Sequence, residues 1–411
     1  MKNITRLILF LAVISILGTG CKSQAKTTET GSIRDIFAGV SDVYILKDDN
    51  TLWGAGFKRS DLSGASAGEP RIVRINDESG AAFSGVKSVA AGENHTVILK
   101  EDGTIWGAGD STFGELGLKG GKLEVFTQLK AGAGPISGVK AVAAGNNSTF
   151  IIAGDSTLWA SGYNYYGELG LGNKSELSIF IKVESAGQNN KAIAAGIRHT
   201  ALLKEDGTLW TAGYNFNGQL GLGDTEDRNT FTAVRSAGSG ISAVAAGNYH
   251  TVILKSDGSV WTAGSNYWGQ LGLSGANDQK DFIRASDENG GALTGVSEIA
   301  ARGDITVLVK ADGSLLVAGN YTDTEGTAEF GSEAGAALDN TKKAGGSGFA
   351  ALVPEQGAAA KFAGVKKVVL GNNSIYVIDT DNRLWAAGSN RYGQLNLGPD
   401  TVNTSVLKLI D

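Results

Sequence analysis

One phrase recurs through the chain: AAGENHTVILKEDGTIWGAG at Ala90 to Gly109, AAGNNSTFIIAGDSTLWASG at Ala143 to Gly162, AAGIRHTALLKEDGTLWTAG at Ala194 to Gly213 and AAGNYHTVILKSDGSVWTAG at Ala245 to Gly264. Degraded copies stand at Phe37 to Gly56, Ala300 to Gly319 and Leu370 to Gly388, which makes seven. The repeat glycine falls at Gly39, Gly92, Gly145, Gly196, Gly247 and Gly371, with Arg302 in the sixth place, so the steps are 53, 53, 51, 51, 55 and 69 residues. A unit of this size cannot bury its apolar face alone and must stack on its neighbours; with about four strands per unit it reads as one propeller blade. The expected fold is all-β: a seven-bladed β-propeller of four-stranded antiparallel blades. The 60 glycines and 4 prolines among 411 residues suit many short strands joined by turns.

Alternation and turns place the strands of the second unit at Val86 to Ala91, Thr96 to Lys100, Thr104 to Ala108 and Val125 to Lys130. Between strands two and three sit Asp102-Gly103, Asp206-Gly207, Asp257-Gly258 and Asp312-Gly313, which predict tight two-residue hairpins. A calcium site needs six to eight converging oxygens, and these aspartates recur a whole repeat apart, so a turn is the reading. Trp53, Trp106, Trp159, Trp210, Trp261 and Trp385 each follow the repeat position by fourteen residues, with Leu316 in the sixth unit. A fixed place in every blade marks them as packing elements, with roughly 150–250 Å² buried by each, and not as a cofactor or light-sensing set. His95, His199 and His250 are the three histidines. They lie in different blades, and Ser148 and Ser374 fill the same place elsewhere, so a structural hydrogen bond to backbone is expected instead of metal binding.

The AAGxxHT phrase, the Lys-x-Asp-Gly turn, the Trp and then Asn-x-x-Gly-Gln-Leu-Gly resemble the regulator of chromosome condensation repeat. The last element stands as NYYGELG at Asn164, NFNGQLG at Asn215, NYWGQLG at Asn266 and NRYGQLN at Asn390. The resemblance covers roughly residues 32–411 and implies the seven-bladed propeller. Its members include a nuclear exchange factor for a small GTPase, a plant ultraviolet-B receptor and a secreted bacterial inhibitor of β-lactamases, so it implies no single function. Units one and six depart from the pattern, with Ser60-Asp61-Leu62-Ser63-Gly64 and Glu329-Phe330-Gly331 replacing the Gly-Gln-Leu-Gly element, and distorted blades are expected there.

The first twenty residues read as an export signal, with Lys2 and Arg6 beside an apolar run from Leu7 to Leu17 that is too short to span a bilayer. Leu17-Gly18-Thr19-Gly20-Cys21 resembles a bacterial lipobox, although the large aliphatic residue stands one place early. The expected organisation is a lipoprotein-type signal at 1–20, a lipidated Cys21 and flexible tether at 21–31, and the propeller at 32–411. Membrane attachment is then through the lipid, and the expected location is the bacterial cell envelope, at the outer membrane or cell surface. Loss of Lys2 and Arg6 would deepen the net charge from −6 to −8, which disfavours nucleic acid as a partner.

In an antiparallel meander the link from strand one to two and the link from three to four share one rim. That rim carries Tyr163, Tyr165, Tyr166, Tyr214, Phe216, Tyr249, Tyr267, Trp268, Arg391 and Tyr392, and aromatics with a polar handle suit interface centres. These are the candidate partner-binding residues; the bland alternative is that the rings pack locally on the next blade. No catalytic motif, metal site or cofactor site rises above the repeat background. The expected function is a monomeric, envelope-anchored module that binds a protein. An architectural envelope role is the alternative, followed by a regulator or inhibitor of an exported enzyme or an exchange-factor-like activity. The sixth unit has 46 residues from Gly319 to Val365 against 30 between Gly109 and Val139, a surplus read as a slack loop in preference to a binding feature.

Overall fold

The computed structural model describes residues 32–410 except 41, 57–71, 78, 132–133, 288, 320–347, 353–363, 373, 391–393 and 396–402. These belong to the compact unit Ser32–Asp411; Cys21, Arg391, Tyr392 and most of the sixth-unit surplus lie outside the described residues. Seven four-stranded antiparallel sheets follow one another in chain order, each paired one-two-three-four. Blade two is typical, with strands Val86–Ala91, His95–Lys100, Ile105–Asp110 and Lys122–Gln128, close to the sequence expectation. The first strands of successive blades pack on one another around the ring, blade seven on blade one included.

Strand composition follows distance from the axis. First strands such as Val139–Ala144 (VKAVAA) are rich in alanine, which fits the crowded centre of a taper. Second strands such as His199–Lys204 are buried along their whole length, on both faces, with an apolar middle between a His-Thr start and a lysine end. Fourth strands send one aromatic inward: Phe126, Phe180, Phe231 and Phe282 are buried in otherwise exposed strands. The core therefore sits between blades, in seven apolar clusters each drawn from two neighbours. In blades one and six the described fourth strands are only Val73–Arg74 and Ala350–Ala351, in line with the degraded motif there.

Two sequence expectations are corrected. Because ring closure leaves no long exposed edge, the final strand, Ser405 to Ile410, is expected from the sequence beside strands of the first unit; it instead pairs with Leu384–Ser389 of its own blade. Each repeat supplies all four strands of its blade, so no strand is exchanged. Closure comes from side chains, with Ile36, Val43 and Ile45 packed against Tyr376, Ile378 and Leu384. The Asp-Gly hairpins are not two-residue primed turns either. Gly103 alone has a positive φ (78°), its N–H donates to Lys100 O (3.0 Å), and the Lys100 N–H donates to Thr104 O (2.9 Å). This is the three-residue class, a turn followed by one left-handed residue. Asp102 serves it by accepting from the N–H and hydroxyl of Thr104. The six tryptophans are packing elements as expected, each half-buried against one of the inter-blade clusters. The Trp106 indole N–H donates to Thr104 Oγ1, and a lysine lies over the ring in several blades, Lys47 at 4.1 Å from Trp53 and Lys255 at 4.3 Å from Trp261. The Lys-x-Asp-Gly phrase thus encodes a cation–π clamp.

Candidate functional site

The rim is built by fixed contacts between the two links of each blade. The first residue after strand three donates its N–H to the strand one-to-two link: Tyr163 to Asn147 O (2.8 Å), Tyr214 to Arg198 O (2.9 Å) and Ser265 to Tyr249 O (2.8 Å). Both links therefore lie at one end, as the meander requires. The Asp-Gly turns lie at the other end against the start of the next blade, with Val139 N–H on Gly103 O.

The Asn-x-x-Gly-Gln-Leu-Gly element is a frame that closes on itself. Buried Asn215 accepts the Leu220 N–H through Oδ1 (2.9 Å) and donates from Nδ2 to Asp224 O (3.1 Å), while Gln219 Oε1 accepts the Asn217 N–H (3.1 Å). Leu220 is buried, and Phe282 of the next blade packs against Gly221. With its other side chains committed inward, the frame holds the residue after Asn in solvent. Phe216 is 70% exposed, Tyr165 62% and Tyr267 56%, and Trp268 at the next place is 41% exposed.

Around this frame the rings form a chain across blades two to five. Phe113 meets Tyr163 edge-on at 5.2 Å between centroids, and Tyr165 meets Tyr166 at 5.1 Å. Tyr166 meets Tyr214 at 5.0 Å, and Tyr214 reaches both Phe216 and Tyr249. Tyr267 and Trp268 make a separate T-shaped pair at 4.7 Å. Eight of the ten sequence candidates thus fall into a chain of six and a pair. Tyr163, Tyr166, Tyr214 and Tyr249 are half-buried supports, as the local-packing alternative has it for them; the four exposed rings are the open ones. Sequence reasoning left Arg198 out of the set. Its guanidinium lies 4.8 Å over the Tyr166 ring and donates to the Tyr166 hydroxyl (3.2 Å); the signal was an arginine at a variable link position.

Charge beneath the rim is unusual. Glu168, in the glutamine place of the frame, accepts the Tyr166 N–H (2.9 Å), and burial pushes its pKa up to about 7. Glu115 does the same for Phe113, and burial also raises it to about 7. Asp304 is pushed up to about 6, again by burial. The three histidines face the next blade. His95, His199 and His250 put Nε2 2.9–3.0 Å from Thr149, Thr251 and Thr306 Oγ1. The Nε2 partner of each is thus a threonine side chain of the next blade. Because Thr251 already donates to Gln219 O (2.8 Å), His199 must be the donor at Nε2. Arg302, in a glycine's place, spans the channel and donates to Ala91 O of blade two (2.8 Å).

Seven such blades around an axis define the class, a β-propeller with one aromatic rim. Its units at 86–115, 191–219, 241–270 and 365–394 match the regulator of chromosome condensation repeat, and 206–254 matches a second description of that repeat. The chain carries regulator of chromosome condensation repeats. It is 31% identical over 287 residues to the ultraviolet-B receptor of Arabidopsis thaliana, covering 68% of this chain and 63% of the receptor. It is 35% identical over 137 residues to the X-linked retinitis pigmentosa GTPase regulator of Homo sapiens, covering 33% of this chain and 13% of that protein. The secretion-regulating guanine nucleotide exchange factor of Bos taurus is 42% identical over 125 residues, which are 29% of this chain and 26% of that protein. The chain thus spans less than two thirds of each relative. Yeast RCC1 (Prp20), solved with Kap60, superposes with a TM-score of 0.67 at 19% identity over 99% of this chain and 91% of that one. Human WBSCR16 gives 0.67 at 17% identity over 83% and 84%. These structures share the fold.

Proposed function

We propose that this protein is a non-catalytic module that holds another protein on its aromatic rim, tethered to a bacterial envelope through a lipid on Cys21. The observation that carries the reading is the row of open rings Tyr165, Phe216, Tyr267 and Trp268 on rigid frames, in a fold that supports protein-binding and regulatory roles. Large, nearly rigid aromatics give contact area at little entropic cost.

The test is affinity capture from envelope and host extracts with the protein and with a Y165A/F216A/Y267A/W268A variant of unchanged near-ultraviolet circular dichroism. A partner held by the first and lost from the second is the expected result; equal capture by both removes the rim from consideration. Mass spectrometry of the mature N-terminus should find Cys21 first in the chain and acylated, and an unmodified thiol there would end the tether proposal. A second reading, a guanine-nucleotide exchange factor-like regulator, is favoured by the similarity to the bovine exchange factor. It requires that a captured small GTPase release labelled GDP faster in the protein's presence.

A further inference from the structure

Blades three, four and five repeat a pair of residues at a fixed spacing. The framing Asn164, Asn215 and Asn266 are each followed at the next place by an exposed ring, Tyr165, Phe216 or Tyr267. Twelve places after the same asparagines stands a carboxylate, Glu176, Asp227 or Asp278. Blade two, framed by Ser111, has Thr112 and Leu123 at these places, and blade seven has Arg391 and Val402, so the paired row is confined to three adjacent blades.

Two of the carboxylates are held at the foot of the rings, and the third, Glu176, is exposed. Asp227 Oδ1 accepts the Asn215 N–H (3.0 Å) and Asp278 Oδ1 accepts the Asn266 N–H (3.0 Å). Their second oxygens meet Lys174 Nζ at 3.6 Å and Asn217 Nδ2 at 2.8 Å. Across 163–176, 214–227 and 265–278 there are six carboxylates and one lysine; Glu168 is buried beneath the rim and Asp224 pairs with Arg228 (2.6 Å), which leaves Glu176, Glu226, Asp227 and Asp278 to face the rings' surroundings. The surface therefore offers flat π-faces set among negative charge. A neutral stacking partner would leave the carboxylates unused, and an anionic one would be repelled.

Within the same rim the protein shows what such a surface accepts: the Arg198 guanidinium lies over Tyr166. A guanidinium stacks on an aromatic face and still presents its edge donors to a carboxylate, which an ammonium does less well. We propose that the row on blades three to five receives an arginine-bearing, cationic polypeptide segment, its guanidinium groups on Tyr165, Phe216 and Tyr267 and their donors on Glu176, Asp227 and Asp278. This rests on the reading of the rim as a protein-binding surface and names the chemistry of the partner.

The test uses a fluorescein-labelled dodecapeptide of alternating glycine and arginine, with lysine and glutamate counterparts, and fluorescence anisotropy as the readout. The arginine peptide should bind more tightly than the lysine peptide, and the glutamate peptide should not bind. A Y165A/F216A/Y267A variant, which changes no charge, should weaken arginine-peptide binding about tenfold or more. An E176Q/D227N/D278N variant keeps acceptors for the Asn215 and Asn266 N–H groups; it should weaken binding about tenfold and flatten its dependence on salt between about 50 mM and about 500 mM NaCl. Equal binding of the arginine and lysine peptides, untouched by loss of the rings, would reduce the effect to general charge attraction and overturn the proposal. Binding of the glutamate peptide, or tighter binding of a neutral glycan than of the arginine peptide, would also overturn it. If that happens while the ring variant still loses its captured partner, the rim reading stands and only the cationic class fails; if the ring variant keeps the partner, the reading beneath it fails.

Discussion

Gly196→Ala should lower unfolding stability by about 3 kcal/mol, a large share of what a domain has to lose. A Cβ at Gly196 would stand 2.4 Å from His199 Cε1 and 2.5 Å from Gly247 O in the next blade. Neither neighbour can give way cheaply. The imidazole is fully buried and tied to Thr251, and the carbonyl belongs to the next blade's own repeat glycine. The same crowding recurs at Gly92, where His95 Cε1 and Gly145 O would be 2.3 and 2.6 Å away, so Gly92→Ala should behave alike. Gly134 is the control, because a Cβ there meets nothing within 4 Å and its φ is not in the left-handed region. Chemical unfolding followed by tryptophan fluorescence separates the cases. Coincident midpoints for Gly196→Ala and Gly134→Ala would show that the inner seam has slack.

This seam also shows what the sequence made legible. The glycine's place was plain from the repeat, as were the blade count, the strand order and the sharing of one rim by two links. All are local or periodic properties, repeated often enough to average out any one blade's departures. Partners across blades were harder to see. The acceptor for His199 is Thr251, which directly follows His250, so the His-Thr dipeptide of one repeat donates through its His to the blade after and accepts through its Thr from the blade before. The pattern was present, but a search for a local backbone partner passes over it. The tryptophans were legible as packing elements, but not the hairpin contacts that hold several of them at the edge, a Thr or Ser hydroxyl on the indole N–H of Trp106, Trp159 and Trp261 and a lysine over Trp261. The hairpin class depended on which residue takes the left-handed φ, and Asn50, Ser156 and Asn382 do this where other blades have glycine. Among the rim rings, exposure was decided by the frame: the place after Asn points out, and Tyr166 at the second place packs under Arg198.

Stability should be nearly constant between about pH 7.5 and about pH 5.5, and Glu168→Gln should make it fall by about 2 kcal/mol over that range relative to the parent. Two sets of buried groups oppose each other. Burial pushes His95, His199 and His250 down from 6.5 to about 4, about 4 and about 3. Below pH 6.5 the unfolded chain binds protons that the fold refuses, so their stabilisation is complete above 6.5 and is lost as pH falls toward 4, about 1 kcal/mol each by pH 5.5. Glu115 and Glu168, raised from 4.5 to about 7, and Asp304, raised from 3.8 to about 6, bind protons in the fold first. Their contribution is full below the unfolded values and is lost as pH rises through the folded ones, so acidification adds it as the histidines withdraw theirs. Glutamine at 168 removes one member of the second set without disturbing the frame, because Gln219 and Gln270 accept the same N–H in the next two blades. The gap between parent and variant should therefore change by about 2 kcal/mol from the upper pH to the lower, as measured by unfolding midpoints in matched buffers. Parallel profiles would mean that the Glu168 carboxyl is ionised in the fold. In that case the Arg198 guanidinium above Tyr166, which draws Glu168 toward its charged form, outweighs its burial.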